Sequence, residues 1–79
     1  MRFFVLAMND ECRIVRAGLQ APLAEVNKMA FGVPYGVRFI GTEIRLPVAI
    51  AMARDAGFKE AIVNGEKQSI ELVGVAGAA

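Results

Sequence analysis

Cys12 is the only thiol in the chain, and it lies between Glu11 and Arg13. A neighbouring Arg favours a thiolate nucleophile, but the chain has no His to serve as its base. The same absence rules out Ser-His-Asp and Cys-His arrangements. A single thiol without imidazole also leaves no ordinary zinc ligand set. Carboxylates remain. Between positions 55 and 71 stand Asp55, Glu60, Glu66 and Glu71, with only Lys59 and Lys67 against them. Carboxylate pairs can do acid–base work, yet nothing in the pattern predicts a pocket that would enclose a substrate. Gly32, Gly36 and Gly41 fit neither the dinucleotide nor the P-loop spacing. The chemistry left to these residues is electrostatic. An acidic stripe suits a basic partner surface, either by imitating a phosphate backbone or by steering association. We expect no catalytic residue, no cofactor and no metal, with Asp55, Glu60, Glu66 and Glu71 as the partner-binding residues.

The composition sets the frame around these groups. Seventy-nine residues make a single small domain, with nine Lys and Arg against eight Asp and Glu for a net charge of +1. That balance gives no basic footprint for nucleic acid. Tyr35-Gly36-Val37-Arg38-Phe39 is similar to the aromatic strand of RNA-recognition domains, with Phe3-Phe4 as its partner strand, and Arg2, Arg38 and Arg45 would add a small basic patch. However, a hairpin rather than a helix is expected after the first strand, so nucleic acid is disfavoured. The chain is 56% hydrophobic, but its longest charge-free run is Met29 to Val37, nine residues broken by Gly32, Pro34 and Gly36. A membrane span needs about 20 apolar residues, so none is expected. Phe3 to Met8 after Met1-Arg2 has some leader character, but it stops at Asn9-Asp10-Glu11 without a small-residue cleavage site. The expectation is a cytoplasmic protein, and an unpaired thiol agrees with a reducing compartment.

The elements that must position the acids can be read from pattern and punctuation. Arg2 to Met8 predicts a strand buried on both faces. Cys12 to Leu19 predicts a second strand hairpinned to it across a polar turn; its imperfect alternation suggests a sheet edge. Pro22 suits the first turn of a helix, with Leu23, Val26 and Ala30 on its apolar face and Glu25, Asn27 and Lys28 opposite. Gly32 would cap that helix, and Pro34 blocks its continuation. Val37 to Ile44 predicts a third strand with a bulge at Gly41. Pro47 to Ala56 predicts a second helix ending at Gly57, with Phe58 folding back on Met52 or Ala53. Lys59 to Val63 and Gln68 to Val73 form a closing hairpin, and 74–79 is expected to be a frayed tail. The order is ββαβαββ, an α+β domain with two short helices packed on one face of a mostly antiparallel sheet.

Two of these elements bear on function. From Leu46 to Ala53 the second helix has no polar side chain. Ala49 and Ala53, one turn apart, would let another backbone approach, so a homodimer through helix 47–56 competes with ordinary core packing. In the hairpin, Asn64-Gly65 favours a two-residue turn, which would mix charge with core on one face. A four-residue loop over Asn64 to Lys67 separates them instead, pairing Val63 with Gln68 and Ala61 with Ile70. We weigh face separation above turn preference. That register makes Glu60 and Glu71 cross-strand neighbours.

The stretch Ala49-Ile50-Ala51-Met52-Ala53-Arg54-Asp55-Ala56-Gly57, followed by Ala61-Ile62-Val63-Asn64-Gly65-Glu66-Lys67, resembles small phage-encoded anti-CRISPR proteins, in some of which an Ala/Met-rich helix leads through a glycine into a closing hairpin. The resemblance implies a non-enzymatic inhibitor, acting in the host cytoplasm. It would bind a CRISPR effector complex and block target DNA through acidic groups meeting a basic surface. That family shares no catalytic residues, so no individual role transfers. The expectation is therefore a protein-binding module with a basic partner; the alternatives are a homodimeric accessory protein or a small RNA- or DNA-binding domain.

Overall fold

The apolar run at the N-terminus determines the layering. A computed structural model describes residues 1–71. In it β1 (Arg2–Met8) buries Phe4, Val5, Leu6 and Ala7 in succession. Successive strand residues point to opposite faces, so both faces of β1 are apolar and each must be covered. Two helices do this, one per face. Val5 packs with Ala49 and Ala53 of α2 (Leu46–Asp55), while Phe4 and Leu6 pack with Val26 and Ala30 of α1 (Leu23–Phe31). The expected class and the ββαβαββ order hold. The placement of both helices on one face does not, because it would have left Phe4 and Leu6 in water.

Among the described residues the sheet has five strands in the order β3-β1-β2-β4-β5. Here β2 is Glu11–Ala17, β3 is Arg38–Glu43, β4 is Glu60–Val63 and β5 is Glu66–Ser69. β1 pairs antiparallel with β2 and β3, β4 pairs antiparallel with β5, and only β2 and β4 run parallel. β2 is thus central rather than at an edge. The arginines that spoiled its alternation are accommodated locally. The Arg13 guanidinium donates to Glu11 Oε2 at 2.6 and 2.9 Å and to the Ala30 carbonyl at 2.6 Å, and lies 4.8 Å from the centre of the Phe31 ring. It ties the C-terminal turn of α1, where carbonyls lack partners, to the sheet. Arg16 lies 5.7 Å from the Phe3 ring centre.

The helix ends follow their sequence signals. Pro22 precedes α1, and Gly32 closes it at φ 82°, its N–H donating to the Lys28 carbonyl. α2 ends in a Schellman arrangement: Phe58 N–H donates to the Ala53 carbonyl and Gly57 N–H to the Arg54 carbonyl. Gly57 takes φ 103°, and Phe58 packs against the core. Asn27 departs from its expected polar face. It is buried, and its Nδ2 donates to the Pro34 carbonyl at 3.2 Å, pinning the loop after α1.

The closing hairpin takes the tight turn. Asn64 and Gly65 have φ 50° and 89°, which the type I′ turn requires at both positions. Val63 therefore pairs with Glu66, Ala61 with Gln68 and Glu60 with Ser69. The four-residue loop is incorrect, and Glu60 and Glu71 are not cross-strand neighbours. Separation of polar and apolar faces does not set this register, because β5 is an exposed edge strand over all four residues. It has no buried face that a register could protect. Only Ile70, just beyond it, enters the core, held by its N–H to the Lys59 carbonyl and by Arg54 Nε donating to its own carbonyl at 2.6 Å. The strand ends at Ser69 rather than running from Gln68 through Val73, with Ile70 and Glu71 already outside it, and residues 72–79, including the expected tail, fall outside the described residues.

Candidate functional site

The parallel pairing of β2 with β4 assembles an acidic end of the sheet. Arg13 lies opposite Ile62, so counting back two places sets Glu11 beside Glu60. The β1–β2 turn brings Asp10 to the same end, and the exit of β5 brings Glu71. Two adjoining open depressions result. One, of about 180 Å³, is lined by Asp10, Glu11, Glu60 and Lys67, with Ile62 among its apolar contacts. The other, of about 480 Å³, is lined by Asp10, Lys59, Glu60 and Glu71 beside Phe58. Asp10 and Glu60 border both.

Of the four acids read from the sequence, the structure brings Glu60 and Glu71 together here. Glu66 is at the far end of the hairpin, opposite Val63. Three strand positions separate it from Glu60's end, roughly 10 Å. Asp55 is exposed at the last residue of α2 and borders neither depression. Asp10 and Glu11 are the site residues the sequence reading missed. Their charged turn was visible, but the strand pairing that places it beside β4 was not.

The charges are partly internally matched. Glu11 pairs with Arg13 at 2.6 Å, and Lys67 Nζ lies 3.5 Å from Glu60 Oε1 with both side chains largely exposed. Such an exposed pair contributes little to stability and is free to exchange partners. Asp10 and Glu71 make no ion pair among the described residues. No three carboxylates or thiols among the described residues converge as a metal site would require.

Cys12 borders the first depression yet is buried. Desolvation pushes its thiol from 9.0 up to about 11, against a smaller opposing pull from Arg38. The thiol is therefore protonated at neutral pH and a poor nucleophile. The folded pKa is raised, so the stability linked to the neutral thiol is intact below pH 9 and is lost as pH rises through 11. We expect wild type to lose about 2–3 kcal/mol more than Cys12→Ala across that window. Denaturant titrations of the two proteins at stepped pH check this; parallel curves would show that the thiol is not so shielded.

The basic patch read from Arg2, Arg38 and Arg45 is not assembled. Arg2 and Arg38 lie at opposite ends of β1's pairing, against Ala17 and Ala7, roughly 17 Å apart along the strand. Ala49 and Ala53 are fully buried against the sheet, so neither is open to a second backbone. No helix among the described residues is long and apolar enough to cross a membrane.

Fold and site together define an α+β domain in which a five-stranded mixed sheet is covered by one helix on each face, with a charged, open end. No protein-family model matches the chain, and no curated protein or solved structure is significantly similar to it.

Proposed function

We propose that this protein is a non-catalytic binding module that presents the Asp10–Glu11–Glu60–Glu71 end of its sheet to a basic surface on a protein partner. One observation carries the reading: four carboxylates rim two adjoining open depressions that hold only two lysines. Open relief of this kind suits a protruding basic surface better than a small substrate, which binds in sites that enclose most of it. The protonated thiol of Cys12 supports the same view, since it removes the most reactive group from use at neutral pH. The DNA-binding surface of a CRISPR effector complex is a partner of the required chemistry, and it is the one the anti-CRISPR resemblance implies.

Affinity capture from a bacterial lysate, with partners identified by mass, tests the proposal when wild type is run beside Asp10→Lys/Glu60→Lys. Reversing rim charges slows association and steepens at low salt. We expect recovery of the specific partner to fall about tenfold. Equal recovery by both proteins would reject the acidic end as the contact. For the effector-complex version, a purified complex should lose target-DNA binding when the protein is added; undiminished DNA binding would remove that partner.

A further inference from the structure

The two edges of the sheet differ. β5 exposes Glu66, Lys67, Gln68 and Ser69, a polar and charged strand of the kind that discourages pairing. β3 carries charge only at its two ends, at Arg38 and Glu43. Phe39 is 47% exposed within it, and Ile44 and Val48, 65% and 40% exposed, follow closely in the chain. Among the described residues its backbone pairs with β1 on one side only.

The order of residues along this edge is self-complementary. β3 reads Arg38-Phe39-Ile40-Gly41-Thr42-Glu43. An antiparallel copy related by a two-fold axis between Ile40 and Gly41 would set Arg38 opposite Glu43, Phe39 opposite Thr42 and Ile40 opposite Gly41. In a regular strand that register is forbidden, because residues an odd number apart point to opposite faces and cannot be cross-strand neighbours. The irregularity in β3 removes the obstacle. Val5 pairs with Gly41 but Leu6 pairs with Phe39, leaving Ile40 as an extra residue. Both Ile40 and Gly41 consequently face α2: Ile40 packs in the α2-side core, and the Met52 sulfur fills the place a Cβ on Gly41 would take. Arg38 and Glu43 also lie on this face, opposite Ala7 and Phe3, while Phe39 and Thr42 lie on the other, opposite Leu6 and Phe4. The facial pattern is therefore symmetric about the point between Ile40 and Gly41. Every pair in the two-fold register shares a face, and the large Ile40 meets a residue with no side chain.

We infer that the β3 edge pairs with β3 of a second copy of this chain, joining two five-stranded sheets into one continuous sheet with Arg38–Glu43 ion pairs at both ends of the seam. The seam lies at the opposite edge of the sheet from β4 and β5 and leaves the acidic end open in both copies; only Arg38, whose guanidinium lies 6.0 Å from the centre of the Phe58 ring, reaches toward that end. This pairing also differs from a seam through helix 47–56, since it uses backbone hydrogen bonds rather than the outer helix surface.

Sedimentation velocity on the full chain reads the result, with circular dichroism confirming that each variant is folded. Wild type should sediment as a dimer at micromolar concentration. Arg38→Glu and Glu43→Arg each place like charges at both ends of the seam and should raise the dissociation constant at least about tenfold. The double variant Arg38→Glu/Glu43→Arg restores the opposition and should return to dimer. A monomeric wild type would overturn the inference. So would a dimer that neither single reversal weakens, or a double variant no tighter than the singles.

Discussion

Ala53→Glu should abolish cooperative folding. Ala53 is fully buried, with Ala49 one turn away, in the core between α2 and the sheet alongside Val5, Ile14 and Val63. A glutamate there either buries a carboxylate without a cation or forces the helix off the sheet. The neighbouring Arg54 cannot rescue it, because its Nε is engaged with the Ile70 carbonyl. An uncompensated buried charge costs about 3–5 kcal/mol, and overpacking adds about 1–3. A domain of this size has about 4–12 kcal/mol in total. Thermal melts followed by circular dichroism should show no sigmoidal transition. Ala24→Glu provides the control. Ala24 is exposed in the first turn of α1, where a negative charge favours the helix end, and its melt should match or slightly exceed wild type. An Ala53→Glu variant as stable as wild type would mean that this helix face is turned outward, as a helix-to-helix dimer seam needs.

Leu6→Ala should be the costliest of the simple truncations. Leu6 is fully buried, ranks among the largest side chains without solvent contact, and meets Phe4, Ala17, Val26 and Ala30 beneath α1. Three of these four neighbours are already small or rigid, so the space left behind collapses poorly. Leucine-to-alanine changes in such settings cost about 2–5 kcal/mol, and we expect about 3, a large fraction of the whole. Urea titration should shift the midpoint strongly while the slope is kept. A loss below about 1 kcal/mol would show that α1 is not anchored on this face.

What was legible in the sequence followed from local chemistry. Phe4 to Ala7 announced a strand buried on both faces, Gly32 and Gly57 marked helix ends, and Asn64-Gly65 marked a turn. What escaped was set by distant pairing. The alternation of β2 was spoiled by Arg13 and Arg16, yet Arg13 is neutralised by Glu11 and by an α1 carbonyl that no local window reveals. Asn27 looked solvent-facing until Pro34 provided its acceptor. The hairpin register is not legible from face separation, because this edge strand, β5, is exposed at all four residues. The candidate site was legible only in part for the same reason. Glu60 and Glu71 stood out as acids in the sequence, but Asp10 and Glu11 join them through a parallel pairing between strands separated by two helices and a third strand.

The acidic end is most directly tested by mapping backbone amide shifts of the labelled protein as the captured partner is added. Contact through this end predicts perturbations at residues 10–12, 58–60 and 67–71, which fade as salt rises and leave 39–44 unmoved. Shifts confined to 38–44, or a set insensitive to salt, would contradict it.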